Sequence, residues 1–332
     1  MMKARLPVQI KVDTMKPGCR KEILLARPRG FCAGVVRAVE IVERALENCG
    51  APVYVKHAIV HNRHVVRRLE DLGAVFVEEL DQVPRGANTV FSAHGVSPAV
   101  RDQAARLGLN VVDATCPLVT KVHAEARRYA GLRATIFLVG HRGHVEVQGT
   151  FGEAPEQTLI IEDVADAENV QVADPANVAL ITQTTLSLDD TAEIVAVLKR
   201  RFPHLQQPGK EDICFATQNR QNAVKALAEA ADVVLVVGAA ESSNSQRLVE
   251  VSRAVGTPAH LIESVLQLDP AWLEDATTIG VTAGASAPED IVEELVAALS
   301  QRYAASVREM QVASEDVVFS LPPSLQSPQS TA

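Results

Sequence analysis

A chain of 332 residues, 47% of them apolar, carries enough hydrophobic surface for two or three cored domains and is not a disordered polymer. Its formal charge of −9 argues against a general nucleic-acid binder, yet leaves room for a small anion at a locally positive site. There is no continuous apolar run long enough for a membrane span, the five cysteines are too scattered for a disulfide framework, and the basic N-terminus lacks a secretory core, so a reducing cytoplasm is expected.

Residues 1–21 read as a flexible arm, in which Cys19 beside Pro17-Gly18 is given no chemistry. A strand over 23–26 meets the turn Arg27-Pro28-Arg29-Gly30, and Cys32 opens a helix over 33–47 with Val35, Val39, Val42 and Leu46 at helical spacing. Cys49, expected as a small buried side chain, and Gly50 close that helix. A strand over 52–56 leads to His61, a helix over 63–72 follows, and a strand over 89–92 leads to His94-Gly95. Ser97-Pro98 has the N-cap and first-turn proline of another helix. The apolar pair Val111-Val112 runs through Asp113-Ala114-Thr115 into Cys116-Pro117 and a helix over 119–129. The strand 135–139 ends in Gly140-His141-Arg142-Gly143-His144-Val145-Glu146. Residues 158–180 are predicted as two strands with an acidic linker. Ser187 and Asp190 form a cap pair for a helix over 189–201. Cys214 precedes a helix over 218–230, and Val233–Val237 reads as a fully buried strand from its β-branched run. Ser242-Ser243-Asn244-Ser245 caps the next helix, and Ser286-Ala287-Pro288-Glu289 is a Ser-x-x-Glu cap for the last one. A strand is expected at Val317–Phe319, followed by a Pro/Ser/Gln tail whose composition marks it as disordered.

The order of these features repeats. Cys32, Cys116 and Cys214 are 84 and 98 residues apart, and each stands where a helix opens. A first polar loop follows each one (His61, His144, Ser243), then a second (Ser92 to Ser97, Thr182 to Ser187, Thr282 to Ser286). A period near 95 residues suits a small α/β unit. The expected fold is therefore three similar α/β lobes around a pseudo-threefold axis, over 22–115, 116–210 and 211–300, with 301–332 as a C-terminal strand and tail. Such an arrangement brings three thiols to one centre and rings them with six polar loops.

Three cysteines without CxxC spacing are open to several readings: an iron–sulfur cluster, a zinc site with a histidine as fourth ligand, or unrelated core thiols. The repeat favours convergence on a cluster or metal. Three thiolates leave one iron of a four-iron cubane open to a substrate oxygen. His61, His94 and His144 lie in repeat-equivalent loops, whereas His57, His123, His141 and His204 read as structural. The three imidazoles, with Ser242, Ser243, Asn244 and Ser286, suit a phosphate or diphosphate through charge-assisted bonds and helix N-termini, although the hydroxyls also serve as caps. Glu146, in a strand-like His-x-Glu, is the one carboxylate in these loops and is placed to supply a proton, or is a surface residue. A non-enzymatic iron–sulfur sensor and a structural-zinc protein with Cys₃His ligation stay open on these residues alone.

Nine stretches, in order over about 22–320, resemble the 4-hydroxy-3-methylbut-2-enyl diphosphate reductase family. They are Pro28 to Gly34, Val60-His61-Asn62, Ser92 to Val96, Asp113 to Pro117, Gly140 to Thr150, Gln183 to Ser187, Asp212-Ile213-Cys214, Ser242 to Ser245 and Thr282 to Pro288. The resemblance implies one [4Fe-4S] cluster per chain, held by Cys32, Cys116 and Cys214. It implies a substrate diphosphate held by His61, His94, His144, Ser242, Ser243, Asn244 and Ser286, with the substrate hydroxyl on the open iron near Thr184 and Glu146. The implied reaction is reductive dehydroxylation to isopentenyl and dimethylallyl diphosphates, the last step of the non-mevalonate isoprenoid pathway. Glu146 would deliver the proton, and ferredoxin or flavodoxin the electrons. The chain departs from the family's pattern at Val36, Ala58 and Val145, none of them a ligand, so altered loop rigidity rather than lost activity is expected.

Overall fold

The computed structural model describes residues 20–325; residues 1–19 of the predicted arm, with Cys19, and the end of the predicted tail lie outside them, whereas Lys21, at the predicted arm's end, is buried and its Nζ donates to the Leu273 carbonyl at 2.6 Å, so the arm ends before it. The chain begins with β1 (Glu22–Arg27), α1 (Ala33–Cys49), β2 (Val53–Lys56), α2 (Arg63–Asp71), β3 (Ala74–Val77), β4 (Asn88–Phe91), α3 (Pro98–Leu107) and β5 (Asn110–Asp113). It continues through α4 (Pro117–Gly131), β6 (Thr135–Val139), α5 (Val145–Phe151), β7 (Thr158–Ile161), α6 (Val164–Asn169), β8 (Val178–Thr182) and α7 (Leu188–Arg201). The last part holds α8 (Phe215–Ala230), β9 (Val233–Val237), α9 (Ser243–Val255), β10 (Ala259–Ile262), β11 (Thr278–Ala283), α10 (Glu289–Tyr303) and β12 (Ser306–Gln311).

The strands form three parallel sheets, ordered β3-β2-β4-β5, β7-β6-β8 and β10-β9-β11-β1-β12. Parallel sheets need cover on both faces, and the strand sequences provide for it: every residue of β8 and β9 is buried. Each sheet carries two apolar cores, one per face. Val39, Val55 and Val90 lie on one side of the first sheet and Leu80 and Phe91 on the other. Tyr129 and Ile136, and Phe137 and Leu198, flank the second. Ile23 and Leu295, and Leu24 and Leu227, flank the third. This is the three-lobed α/β class that the repeat implies.

The lobes are stitched together at the cysteines. The strand at 22–27 opens the predicted first lobe in sequence, but it pairs with β11 and β12 in the third sheet, so that boundary is corrected. Cys32 follows it and opens α1, which packs in the first lobe. Cys116 follows β5 of the first sheet and opens α4, which packs in the second lobe. Cys214 follows a segment that touches the second sheet by one bridge, Gln206 on Ala179, and opens α8, which packs in the third lobe. Each thiol therefore stands at a crossover from one lobe to the next. A full strand before Cys214 is absent because Pro203 and Pro208 flank the bridge, and proline interrupts a ladder.

Four local expectations are corrected. The linker between β7 and β8 contains a helix, α6, capped by Asp163 through the Asp166 N–H. The terminal strand is β12 rather than Val317–Phe319; it is an exposed edge strand with little apolar content, so hydrophobic periodicity does not reveal it. Residues at the start of the predicted tail are ordered, and Leu325 is 7% exposed against the α1 core. Cys49 is exposed rather than buried.

Candidate active site

In parallel α/β sheets the loops that follow strand C-termini gather at one edge, where helix N-termini also point. Here those loops from all three lobes converge on one cavity. Its walls include Cys32, His61, His94, Cys116, His144, Glu146, Thr184, Cys214, Ser242, Ser243, Asn244 and Ser286. Every site residue inferred from sequence is thus brought together, along with Gly34, Thr185 and Thr217.

The three cysteines share one local geometry. Each is the N-cap of its helix, α1, α4 or α8. Gly34 lies between two of them: a Cβ there would stand 2.7 Å from Cys116 Sγ and 3.8 Å from Cys32 Sγ. Cys214 Sγ accepts the Thr217 N–H at 3.3 Å and meets Thr217 Oγ1 at 3.1 Å. Thr217 does not stand out in the sequence; the signal for it is its place three residues after a capping cysteine. Burial, aided by neighbouring Cys32, pushes the Cys116 thiol up to about 12 and the Cys214 thiol up to about 11. Such thiols become thiolates on taking up a cation, with release of protons. A zinc ion draws its sulfurs to about 2.3 Å, whereas a multi-iron cluster spaces them farther apart. The donor chemistry and the glycine gap fit the larger group.

Facing the thiols is a ring of neutral polar groups. The imidazole centroids of His61, His94 and His144 are 4.3, 5.3 and 5.8 Å apart. Burial lowers the pKa of all three, that of His94 well below its ordinary value and that of His144 to about 4. The Glu146 backbone N–H donates to His144 Nδ1 at 3.2 Å, which assigns the His144 proton to Nε2. His61 Nε2 and Asn244 Nδ2 are buried with no hydrogen-bond partner. Asn244 is held by its other end, where Oδ1 accepts the Ala285 N–H at 2.8 Å. Buried unpaired polar atoms are costly, so these two mark the place of a hydrogen-bonding ligand that offers an acceptor to the Asn244 amide.

The serines divide their roles. Ser242 caps α9 by accepting the Ser245 N–H, and its Oγ also lies 3.4 Å from that of Ser286. Ser286 is not a cap, since α10 begins after Pro288; its Oγ donates to the His61 carbonyl at 3.0 Å and ties the third lobe to the first. Thr185 Oγ1 donates to Ser243 Oγ at 3.2 Å across the second and third lobes.

Glu146 is 3% exposed and sits in the first turn of α5, which His144 caps through its ring nitrogen. The segment is helical, not strand-like, and this turns Glu146 inward. Its carboxylate accepts the Thr184 N–H at 2.6 Å and the Thr184 Oγ1–H at 2.9 Å. Burial outweighs both bonds and raises its pKa to about 7, with Asp212 adding to the rise. A carboxyl group poised near neutrality in a cleft is suited to give and take a proton.

Fold and cavity together define a three-lobed α/β protein with a three-thiol centre opposite a ring of histidine, serine and asparagine side chains. The chain belongs to the LytB protein family, whose sequence profile matches residues 23–300. It is 55% identical over 308 residues to the 4-hydroxy-3-methylbut-2-enyl diphosphate reductase of Aromatoleum aromaticum, covering 93% of this chain and 99% of that one. It is 56% identical over 304 residues to the same-named enzyme of Bordetella pertussis, covering 92% and 94%. Among solved structures, the E-1-hydroxy-2-methyl-but-2-enyl-4-diphosphate reductase of Plasmodium falciparum superposes with a TM-score of 0.90 at 41% identity, over 92% of this chain and 97% of that one. No helix among the described residues is long and apolar enough to cross a membrane.

Proposed function

We propose that this chain reductively removes the hydroxyl of (E)-4-hydroxy-3-methylbut-2-enyl diphosphate, giving isopentenyl and dimethylallyl diphosphates at the end of the non-mevalonate pathway. One observation carries the proposal: three N-capping cysteines at the lobe crossovers face a histidine–serine ring and a buried, near-neutral Glu146 in a single cavity. The enzyme names of the relatives agree with it. Cys32, Cys116 and Cys214 would hold one [4Fe-4S] cluster, which when bound supplies electrons and a Lewis-acidic iron. A ferredoxin or flavodoxin is the proposed donor.

The residues of the chain do the rest. The imidazoles of His61, His94 and His144, held neutral by burial until an anion arrives, donate to phosphate oxygens, and the hydroxyls of Ser242, Ser243 and Ser286 and the free Asn244 amide complete the shell. Thr184 anchors Glu146 through its backbone and hydroxyl, so the carboxyl keeps one orientation. Protonated Glu146 gives its proton to the departing hydroxyl, which leaves as water. The balance is one C–O bond broken and one C–H bond formed: of the two protons consumed, one leaves in the water and the other goes to the allylic carbon skeleton, with two electrons from the external donor.

The test is iron and sulfide content after anaerobic purification, then turnover of the diphosphate with a chemical reductant. About four irons and four sulfides with conversion to both products supports the proposal. An iron-loaded protein that leaves the diphosphate untouched refutes the enzymatic reading and favours a sensor.

A further inference from the structure

Outside the cavity, basic side chains form a pattern that repeats once per lobe. Arg37 lies five residues after Cys32 on α1, and its Nη1 donates to the carbonyls of Ala114 and Thr115 at 3.3 and 3.0 Å, immediately before Cys116. Lys121 lies five residues after Cys116 on α4. Its Nζ donates to the carbonyls of Lys210 and Glu211 at 2.7 and 3.2 Å and to Asp212 Oδ1 at 2.7 Å, just before Cys214. Arg220 lies six residues after Cys214 on α8, and its Nε and Nη2 donate to the Gly30 carbonyl at 3.1 and 2.7 Å, two residues before Cys32. Each cysteine-headed helix therefore sends a cation to the loop ahead of the next cysteine, and the third returns to the first.

We infer that Arg37, Lys121 and Arg220 are positioning residues that form a closed ring of clamps and set the spacing of the three thiols. The inference rests on the cluster reading above. Each cysteine sits at a crossover between two lobes, so the separation of the three thiols follows how the lobes are held against one another. Backbone carbonyls are the natural handle, because they move with the Cα trace that carries the thiol. Arg220 is fully buried, and the Glu315 carboxylate also holds it, at 2.9 and 3.2 Å. Arg37 Nε donates to the Ser320 carbonyl at 2.8 Å. The segment after β12 thus braces two of the three clamps and belongs to the ring.

The test compares Arg37→Met, Lys121→Met and Arg220→Met, which keep the aliphatic stem, with Arg37→Lys, Lys121→Arg and Arg220→Lys, which keep a donor. Leu227→Ala, on α8 but away from the ring, is the stability control. Iron per chain, the rate of bleaching of the visible band with a chelator present, the EPR signal of the reduced protein and the thermal midpoint are read for each. The methionine variants are expected to bleach at least five-fold faster, or to load less than half the iron, with a changed EPR signal. The donor-keeping variants should recover most of the loss, and Leu227→Ala should bleach at the wild-type rate despite a lowered midpoint. Bleaching that follows the thermal midpoint across all seven variants overturns the inference, as does a wild-type rate in the three methionine variants. A wild-type protein that takes up no iron refutes the cluster reading itself, and the ring with it.

Discussion

Replacing Glu146 by Gln separates the acid from its scaffold. The amide keeps an acceptor for the Thr184 N–H, now met at 2.6 Å, and places an NH₂ against the Thr184 hydroxyl, which can turn to accept. Shape and packing persist, but the proton is gone. Loss of a general acid costs about 10²- to 10⁴-fold in rate, or about 3–5 kcal/mol of transition-state stabilisation. The expected result is a kcat lowered by that factor, with KM and iron content within about twofold of wild type. The pH dependence gives an independent check. With a pKa of about 7, Glu146 is half protonated at neutral pH, so wild-type kcat should fall about tenfold per pH unit well above it. The glutamine variant should lack that limb. A variant that keeps both the rate and the limb would falsify the assignment.

The same shift has a consequence for stability, of defined sign. The folded state holds the Glu146 proton more tightly than the unfolded chain does, with a pKa raised from 4.5 to about 7. The associated stabilisation is complete below about pH 4.5 and is lost as pH rises through about 7; it amounts to about 3 kcal/mol. Relative to wild type, Glu146→Gln should therefore gain stability by up to that amount between pH 5 and pH 8, measured by denaturant titration of the protein without iron. A difference that stays flat across this range would show that burial does not raise the pKa of this carboxyl group.

Cys32→Ser, Cys116→Ser and Cys214→Ser should each abolish the cluster, while exposed Cys49→Ser leaves iron and sulfide content unchanged; full iron in any of the first three removes that ligand from the set. Gly34→Ala introduces a Cβ 2.7 Å from Cys116 Sγ and should cut iron loading to a small fraction without unfolding the chain, as read by metal content beside circular dichroism. Inorganic pyrophosphate should bind with proton uptake near pH 6, because the depressed histidine pKa values rise again beside an anion. Titration calorimetry in buffers of different ionisation enthalpy measures that uptake, and His144→Asn should reduce it.

Much of the site is legible in sequence because its residues sit at punctuation marks. Cys116 beside Pro117, Ser242 ahead of a helix, and His61 and His94 past short apolar strands all mark strand-to-helix joints, and the repeat sorts them into equivalent positions. The exchange of elements between lobes is not legible. β1 reads as the first strand of its own unit because local pattern carries no record of which sheet a strand joins; only the ladder with β11 and β12 does. β12 is missed for a related reason, since an edge strand held by backbone bonds needs no apolar face. The inward turn of Glu146 depends on α5 starting at Val145, and a two-residue alternation mimics a strand there.

The crossing of lobes at each cysteine would let one cavity couple the two proposed jobs, holding a cluster and holding an anion. The thiols come from three crossovers, and the proposed anion ring draws His61 and His94 from the first lobe, His144 from the second, and Ser242, Asn244 and Ser286 from the third. No lobe alone contains either site. A diphosphate bridging the ring adds bonds between lobes at the same face where a cluster would, so the two ligands should stabilise one another's arrangement. Linkage makes that coupling reciprocal: if pyrophosphate slows loss of iron, iron must tighten pyrophosphate by the same free energy. Measuring the Kd for pyrophosphate with and without the cluster tests this, and equal values would mean that the lobes are held rigid by protein contacts alone.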